Sequence, residues 1–275
     1  MPELPEVETT LRGINPHIAR KTIEMVIIRQ PKLRWLIPPE IKKILKNQQI
    51  ISTSRRGKYL LLTTKIGSII IHLGMSGSLR ILTANTPPGK HDHVDIVFDN
   101  GKILRLNDPR RFGAVLWTTN APENHTLLAH LGPEPLTPEF SASYIENRAK
   151  THKTAIKTFI MDSKTVVGVG NIYATEALFA AQIHPETPAN QIDLDRYRSL
   201  VKHIKKILRA AIKQGGTTLK NFSASDGKPG YFKVKLKAYG RKNQPCVVCK
   251  TTLVEIRLSQ RSTVYCPTCQ PRCWS

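Results

Sequence analysis

The order of apolar and polar positions changes character twice along the chain. Residues 3–14 place Leu4, Val7, Leu11 and Ile14 at i, i+3, i+7 and i+10, which predicts a short helix with one apolar face. Glu3, Glu6 and Glu8 load its first turns with negative charge, as suits a helix N-terminus. From residue 21 to about 118 the period becomes that of strands, predicted at 22–28, 59–63, 68–73, 78–82, 94–98, 102–106 and 114–118. Asn100-Gly101 between two such runs signals a hairpin. Many short strands separated by turn residues predict an antiparallel sandwich or barrel. Beyond about residue 130 the pattern turns helical. Leu200, Ile204, Ile207, Leu208 and Ala211 form one stripe of a helix that ends near Gly215-Gly216. Its other face carries Lys202, Lys205, Lys206, Arg209 and Lys213 and reads as solvated surface. Residues 215–231 are a long loop rich in Gly, Ser and Thr, of the length found in functional or disordered segments.

Composition narrows the class. The 275 residues are 40% hydrophobic, enough for a real core, which excludes a wholly disordered chain. Lys and Arg number 42 against 20 Asp and Glu, a net charge of +22, so the expected partner is a polyanion. No run approaches the length of apolar sequence needed to span a bilayer, and no membrane association is expected. The acidic start, Met-Pro-Glu-Leu-Pro-Glu, is unlike a signal peptide, so a cytoplasmic protein is expected. In that compartment clustered cysteines serve more often as metal ligands than as disulfides.

All five cysteines lie near the end of the chain. Cys246-x-x-Cys249 and Cys266-x-x-Cys269 are two knuckles with the spacing of a four-cysteine zinc site. Four protein ligands close the coordination sphere, so one zinc ion with a structural role is expected. Between the knuckles the alternation predicts a β-hairpin with Arg261 near its tip, a candidate phosphate contact. Cys273 follows a complete set and reads as a free thiol in the tail.

The other end carries a different chemistry. Removal of Met1 would make Pro2 the N-terminal residue, with a secondary amine. An α-amino group has a reference pKa of about 7.7–8.0 against about 10.4 for lysine, so roughly a tenth of it is neutral and nucleophilic at pH 7. Such an amine can attack a sugar C1′ and give an iminium, with adjacent Glu3 as acid/base partner. Many chains begin Met-Pro, and position 2 points to this chemistry only with its neighbours.

Four segments supply them: residues 1–10 (Met-Pro-Glu-Leu-Pro-Glu-Val-Glu-Thr-Thr), His72-Leu-Gly-Met-Ser-Gly77, Asn107-Asp-Pro-Arg-Arg-Phe-Gly113 and Gly168-Val-Gly-Asn-Ile-Tyr-Ala174. With the cysteine hairpin, the chain resembles the formamidopyrimidine-DNA glycosylase family of bacterial base-excision-repair enzymes from residue 1 to about 270. The related endonuclease VIII enzymes share the Pro-Glu start, the helical DNA-binding domain and the zinc finger. They usually have Gly at the position of Leu4 and lack the 107–113 segment.

The resemblance implies an α+β multidomain fold. An N-terminal helix and antiparallel β-sandwich would occupy 1–130, a helical helix–two-turn–helix domain 131–240, and a zinc finger with its tail 241–275. It implies a bifunctional DNA glycosylase and abasic-site lyase that removes 8-oxoguanine and formamidopyrimidines from double-stranded DNA, then cuts by β- and δ-elimination. Pro2 would be the Schiff-base nucleophile, Glu3 the acid, Lys58 the proton donor for β-elimination, and Arg261 the arginine that grips phosphate and assists δ-elimination. Glu6 matches the family's second buried acid; from the residues alone it is a helix N-terminal charge. An enzyme that acts on a base within a duplex flips it out and fills the gap. Met75 would occupy the vacated space, Phe112 would wedge into the stack, and Arg110 would hydrogen-bond the orphaned cytosine. His72, His91 and Asn171 match phosphate contacts, with Lys153 and Lys157 as basic neighbours. His152 stands where relatives tend to carry Lys or Arg, so its contact would be pH-dependent. The loop around 217–231 matches a lesion-capping loop. A bacterial cytoplasmic enzyme associated with the nucleoid is expected, and nothing in the sequence points to an oligomer, so a monomer is expected. The alternatives are an endonuclease VIII-type glycosylase for oxidised pyrimidines and a non-enzymatic zinc-containing nucleic-acid binder.

Overall fold

The acidic opening segment folds as α1 (Leu4–Ile18). Pro5 sits in its first turn, where a missing N–H costs nothing. Glu3 is the N-cap, and its amide donates to Glu6 Oε2 at 2.9 Å, one arm of a capping box. The helix continues past residue 14 despite Pro16, because Ile18 lies on the face of Ile14 and is fully buried. The computed structural model describes residues 2–215 and 236–272. Among these, one compact unit comprises residues 2–129 and another comprises 130–214 with 236–272.

In the first unit α1 is followed by β1 (Ile23–Ile28), a single turn α2 (Ile41–Ile44), β2 (Ser52–Arg56), β3 (Tyr59–Thr64), β4 (Gly67–His72), β5 (Ser78–Thr83), β6 (Asp92–Phe98), β7 (Lys102–Asn107) and β8 (Ala114–Thr118). They form two four-stranded antiparallel sheets, ordered β1-β6-β7-β5 and β2-β3-β4-β8. Leu60, Leu62, Ile69 and Ile71 of one sheet share a core with Val94, Ile96, Leu104 and Leu106 of the other, each pair two residues apart and so on one face. Val7, Ile14 and Ile18 of α1 join that core. The β6–β7 turn places Gly101 at φ +69, with Asn100 Oδ1 accepting the Lys102 amide at 3.2 Å. The outward side of β6 is buried as well. There Asp95 takes Arg105 Nε at 2.8 Å and Arg29 Nη2 at 2.6 Å. Arg105, 1% exposed, also donates to the carbonyls of Thr86 and Pro87 at 2.9 Å, which pins the segment leading to His91.

The second unit contains α3 (Ala142–Ala149), α4 (Ile156–Met161), α5 (Asn171–Ala180), α6 (Leu194–Lys213) and the hairpin β9 (Val254–Leu258) and β10 (Arg261–Tyr265). Ser141 and Asp193 cap α3 and α6 through their side-chain oxygens. α6 buries Leu200, Ile204, Leu208 and Ala211, together with Tyr197 and Val201. On its basic face, Lys205 Nζ donates to the Thr137 carbonyl at 2.7 Å. α5 is buried from Ile172 to Phe179 and is the centre of this unit. Phe179 packs with Ala238, Leu253, Val264 and the buried cysteines Cys246 and Cys266, so the hairpin shares a core with α5. No helix among the described residues is long and apolar enough to cross a membrane.

Candidate active site and metal centre

At the start of α1, Pro2 is buried and Glu3 and Glu6 are 3% and 1% exposed. Glu6 therefore combines both expectations for it, since it is buried and it holds the amide of Glu3. One turn on, Glu8 receives Arg12 at 2.8 Å and Arg55 at 3.0 Å. Burial raises the Glu8 pKa, but the two guanidinium hydrogen bonds outweigh it and hold the carboxyl below its usual value. Arg55 also donates to the Gly57 carbonyl at 2.9 Å. Gly57, at φ +58, makes the tight β2–β3 turn that presents Lys58. The Glu8–Arg55 pair thus ties the Lys58 turn to α1.

Beside β4 and β8, two loops bring together the other predicted residues of this unit. Met75 and Phe112 are 41% and 43% exposed, and the Arg110 guanidinium lies 4.9 Å from the Phe112 ring centroid. Gly74 takes φ +62, and a Cβ there would lie 2.4 Å from the Phe112 carbonyl carbon, so the two backbones touch. Arg111 adopts φ +55, which turns the chain between Arg110 and Phe112. A cavity of about 510 Å³ opens among His72, Met75, Arg111 and Phe112. Burial, with Lys58 and Arg34 nearby, lowers the His72 pKa to about 4 against a weaker opposing pull from Asp108. His72 Nδ1 accepts the Gly74 amide at 3.0 Å, so the neutral ring carries its proton on Nε2 and can donate from there. His91 lines a second cavity of about 380 Å³ with Arg29, Lys90, Arg111 and Asp92, so cations outnumber the one carboxylate there.

Two residues in these loops, Ser76 and Asp108, have partners that the sequence does not reveal. Ser76 Oγ donates to Asp108 Oδ1, and the Gly113 amide donates to Asp108 Oδ2, both at 2.7 Å. Both lie inside segments singled out by motif. The available signal was a carboxylate immediately before Pro109-Arg110-Arg111, a place where solvent exposure would otherwise be expected.

In the second unit Asn171 opens α5, after Gly168 at φ +80 has turned the chain. The positive end of the helix dipole lies at this terminus. Asn171 Nδ2 donates to the Ser262 carbonyl at 3.1 Å, which joins α5 to the hairpin. Lys157 does not serve as the solvent-facing contact expected of it. It is 1% exposed, and Nζ donates to Ser262 O at 3.1 Å and Thr263 Oγ1 at 2.7 Å. Lys153 is exposed, and His152 is half-buried with its ring 5.0 Å from that of Phe159. Arg261 is exposed at the first position of β10, opposite Leu258. The turn before it is made by Ser259 and Gln260 at φ +46 and +61, two left-handed residues that bear side chains. Each costs on the order of 1 kcal/mol. The Lys157 and Asn171 bonds to the next residues hold that turn in place.

The four cysteine sulfurs lie within 4.8 Å of one another. Individual Sγ–Sγ separations are 3.4 Å for Cys249–Cys266 and Cys249–Cys269 and 3.9 Å for Cys246–Cys269. A tetrahedron with Zn–S bonds of about 2.3 Å has edges of about 3.8 Å, so the donor set fits one zinc. The Val248 and Cys269 amides point at Cys246 Sγ and Cys266 Sγ at 3.4 Å, the second layer of bonds that orients thiolate ligands. Below the site, Gln270 Nε2 donates to the Ile183 carbonyl and Gln270 Oε1 accepts the Cys266 amide. The expected capping loop at 217–231 and Cys273 lie outside the described residues.

Comparison with known proteins agrees along the whole chain. Residues 1–115 match the formamidopyrimidine-DNA glycosylase N-terminal domain, 131–223 the H2TH domain of the same enzymes, and 243–272 the zinc finger found in FPG and IleRS. The formamidopyrimidine-DNA glycosylase of Vibrio cholerae is 55% identical over 271 residues, 98% of this chain and 100% of that protein. The Thermus thermophilus MutM (Fpg) crystal structure matches with TM-score 0.87 at 33% identity, covering 98% of both chains. The Lactococcus lactis Fpg complex with abasic-site DNA matches with TM-score 0.89 at 32% identity, covering 98% of this chain and 100% of that one. The same Lactococcus protein has also been solved with DNA containing Fapy-dG.

Proposed function

The chain belongs to the formamidopyrimidine-DNA glycosylase family, and from that premise we propose that its α1 N-terminus and its two probing loops excise oxidised purines from double-stranded DNA and then cut the strand. It is a DNA glycosylase of base excision repair with one structural zinc. The observation that carries the site assignment is the acidic start of α1: Glu3 and Glu6 are almost fully buried beside Pro2 in a chain of net charge +22. The capping box holds both carboxylates at the helix start, and so sets acid/base groups beside the Pro2 nitrogen.

The Pro2 amine attacks C1′ of the damaged nucleotide. The C1′–N bond breaks, and the base leaves with a proton. Glu3 protonates the sugar ring oxygen as the ring opens to the iminium. Glu6, through the Glu3 amide, fixes that geometry. Loss of a C2′ proton expels the 3′ phosphate, with Lys58 as proton carrier. A second elimination expels the 5′ phosphate. Hydrolysis of the remaining imine releases the sugar fragment. Arg261, on its rigid hairpin, holds phosphate during these steps. Met75, Phe112 and Arg110 fill the gap and pair the orphaned base. His72, as a neutral Nε2 donor, His91, Lys153, His152 and Asn171 hold phosphates. Cys246, Cys249, Cys266 and Cys269 would hold the zinc, whose role there would be to fix the hairpin. The functional division is at about residues 130 and 240, and the place of work is the chromosomal DNA of a bacterial cytoplasm.

Duplexes with 8-oxoguanine opposite cytosine, or with thymine glycol, test the substrate class. Faster release of 8-oxoguanine is expected; preference for thymine glycol would place the enzyme with the pyrimidine-lesion relatives instead.

A further inference from the structure

We infer that Asp108, linked through Ser76, is the positioning residue that holds Met75, Arg110 and Phe112 as one preassembled probe of the base stack. The inference rests on the proposal that these three side chains enter the duplex.

Asp108 follows β7 and has no exposed surface. Two donors converge on its carboxylate from different loops, Ser76 Oγ on Oδ1 and the Gly113 amide on Oδ2, each at 2.7 Å. Its carbonyl accepts the Arg111 amide at 3.2 Å and lies 2.9 Å from His93 Nε2. Ser76 Oγ in turn accepts the Arg110 amide at 3.1 Å. Each probing side chain is therefore at, or one residue from, a group in this network: Met75 beside Ser76, Arg110 on the Ser76 hydroxyl, Phe112 beside Gly113. Steric contact reinforces it. A Cβ on Gly113 would lie 2.9 Å from Asp108 Oδ2 and from the His72 carbonyl.

A buried carboxylate is costly unless its oxygens are satisfied. Here it supplies two acceptors and no donor, which is what an incoming hydroxyl and an incoming amide require. Two loops that could otherwise move separately are locked together before DNA arrives. The ordering cost of the probe is met during folding and not at each encounter with a base pair.

The test uses the full-length, zinc-loaded protein and a duplex with 2-aminopurine beside an 8-oxoguanine opposite cytosine. Insertion of the probe unstacks the reporter and raises its fluorescence. Ser76→Ala cuts the link between loops and leaves the Gly113 bond. It is expected to slow the rise, and 8-oxoguanine release with it, by about ten-fold, the equivalent of one hydrogen bond. Borohydride trapping on a ready-made abasic site should slow less than three-fold. Asp108→Asn keeps an acceptor for Gly113 and an N–H for the serine oxygen, and should fall between the two proteins. If both variants keep the wild-type rise and release rate, the inference is overturned. It is overturned equally if release and trapping fall together, which is the mark of a merely structural role. A wild type that gives no fluorescence rise overturns the wedge assignment itself, and the inference with it.

Discussion

Glu176 offers the sharpest energetic test of how the hairpin is held. Its carboxylate, on α5, is 6% exposed and accepts three successive backbone amides, from Lys237 at 2.9 Å and from Ala238 and Tyr239 at 2.8 Å. These residues lead directly into the Cys246 knuckle. Hydrogen bonds to a charged acceptor contribute about 1.5–3 kcal/mol each, and a buried amide left without an acceptor costs about 1–3 kcal/mol. Glu176→Gln keeps Oε1 for the Ala238 and Tyr239 amides but turns an NH₂ toward the Lys237 amide. One charge-assisted bond is replaced by two facing donors, and the charge is lost from the others. A loss of about 2–3 kcal/mol follows. Glu176→Ala removes all three acceptors, and about 3–5 kcal/mol is expected as water replaces part of them. With a urea slope of about 2 kcal/mol/M, the glutamine variant should move the midpoint down by about 1 M. The readout must report on this unit. Trp35 and Trp117 lie in the other one and Trp274 lies outside the described residues, so the assay is zinc release to a colorimetric chelator along a urea gradient. A glutamine variant within 0.2 M of wild type, about 0.4 kcal/mol at that slope, would refute the assignment of the clasp to a charged, triply accepting carboxylate.

Two further predictions follow from charge. His72 has a folded pKa of about 4 against about 6.5 when unfolded, so between those values the unfolded chain binds a proton that the fold does not. Stability contributed by the neutral ring is fully present above pH 6.5 and falls as pH drops toward 4, by on the order of 2–3 kcal/mol. His72→Gln should flatten that part of the stability curve, measured by tryptophan fluorescence in urea at pH 7 and pH 4.5; an unchanged difference between the two pH values would contradict it. Arg261→Ala removes the phosphate contact proposed for that side chain. The slope of log K against log salt should become shallower by about 0.9, with the preference for 8-oxoguanine over undamaged DNA intact. An unchanged slope would take Arg261 off the phosphate.

Much of the sandwich was legible because its strands alternate against one core, as Leu60 and Leu62 or Ile69 and Ile71 show. β2 was not. Ser52-Thr-Ser-Arg-Arg56 has no apolar alternation and becomes a strand by pairing with β3 at the edge of its sheet. The apolar period predicts an end for α1 at residue 14; the helix runs on to Ile18, because burial of Ile18 outweighs the hydrogen bond missing at Pro16. The zinc ligands were readable from spacing alone, since each knuckle is local in sequence. What holds the hairpin was not: Lys157 meets Thr263 across 106 residues and Glu176 meets Ala238 across 62. A lysine in a chain of net charge +22 reads as a phosphate contact until its burial is known. Asp108 stayed silent for the same reason, as its partner Ser76 lies 32 residues away on another loop.

The Pro2 nitrogen is the atom proposed to form the bond to the sugar. Borohydride reduction of the protein on abasic-site duplex, followed by mass spectrometry of the proteolysed adduct, tests it directly. With Met1 removed, the sugar fragment should be found on the N-terminal peptide, at the Pro2 nitrogen, and an added N-terminal tag should abolish the adduct. An adduct on Lys58, or none at all from chain that begins at Pro2, would contradict it.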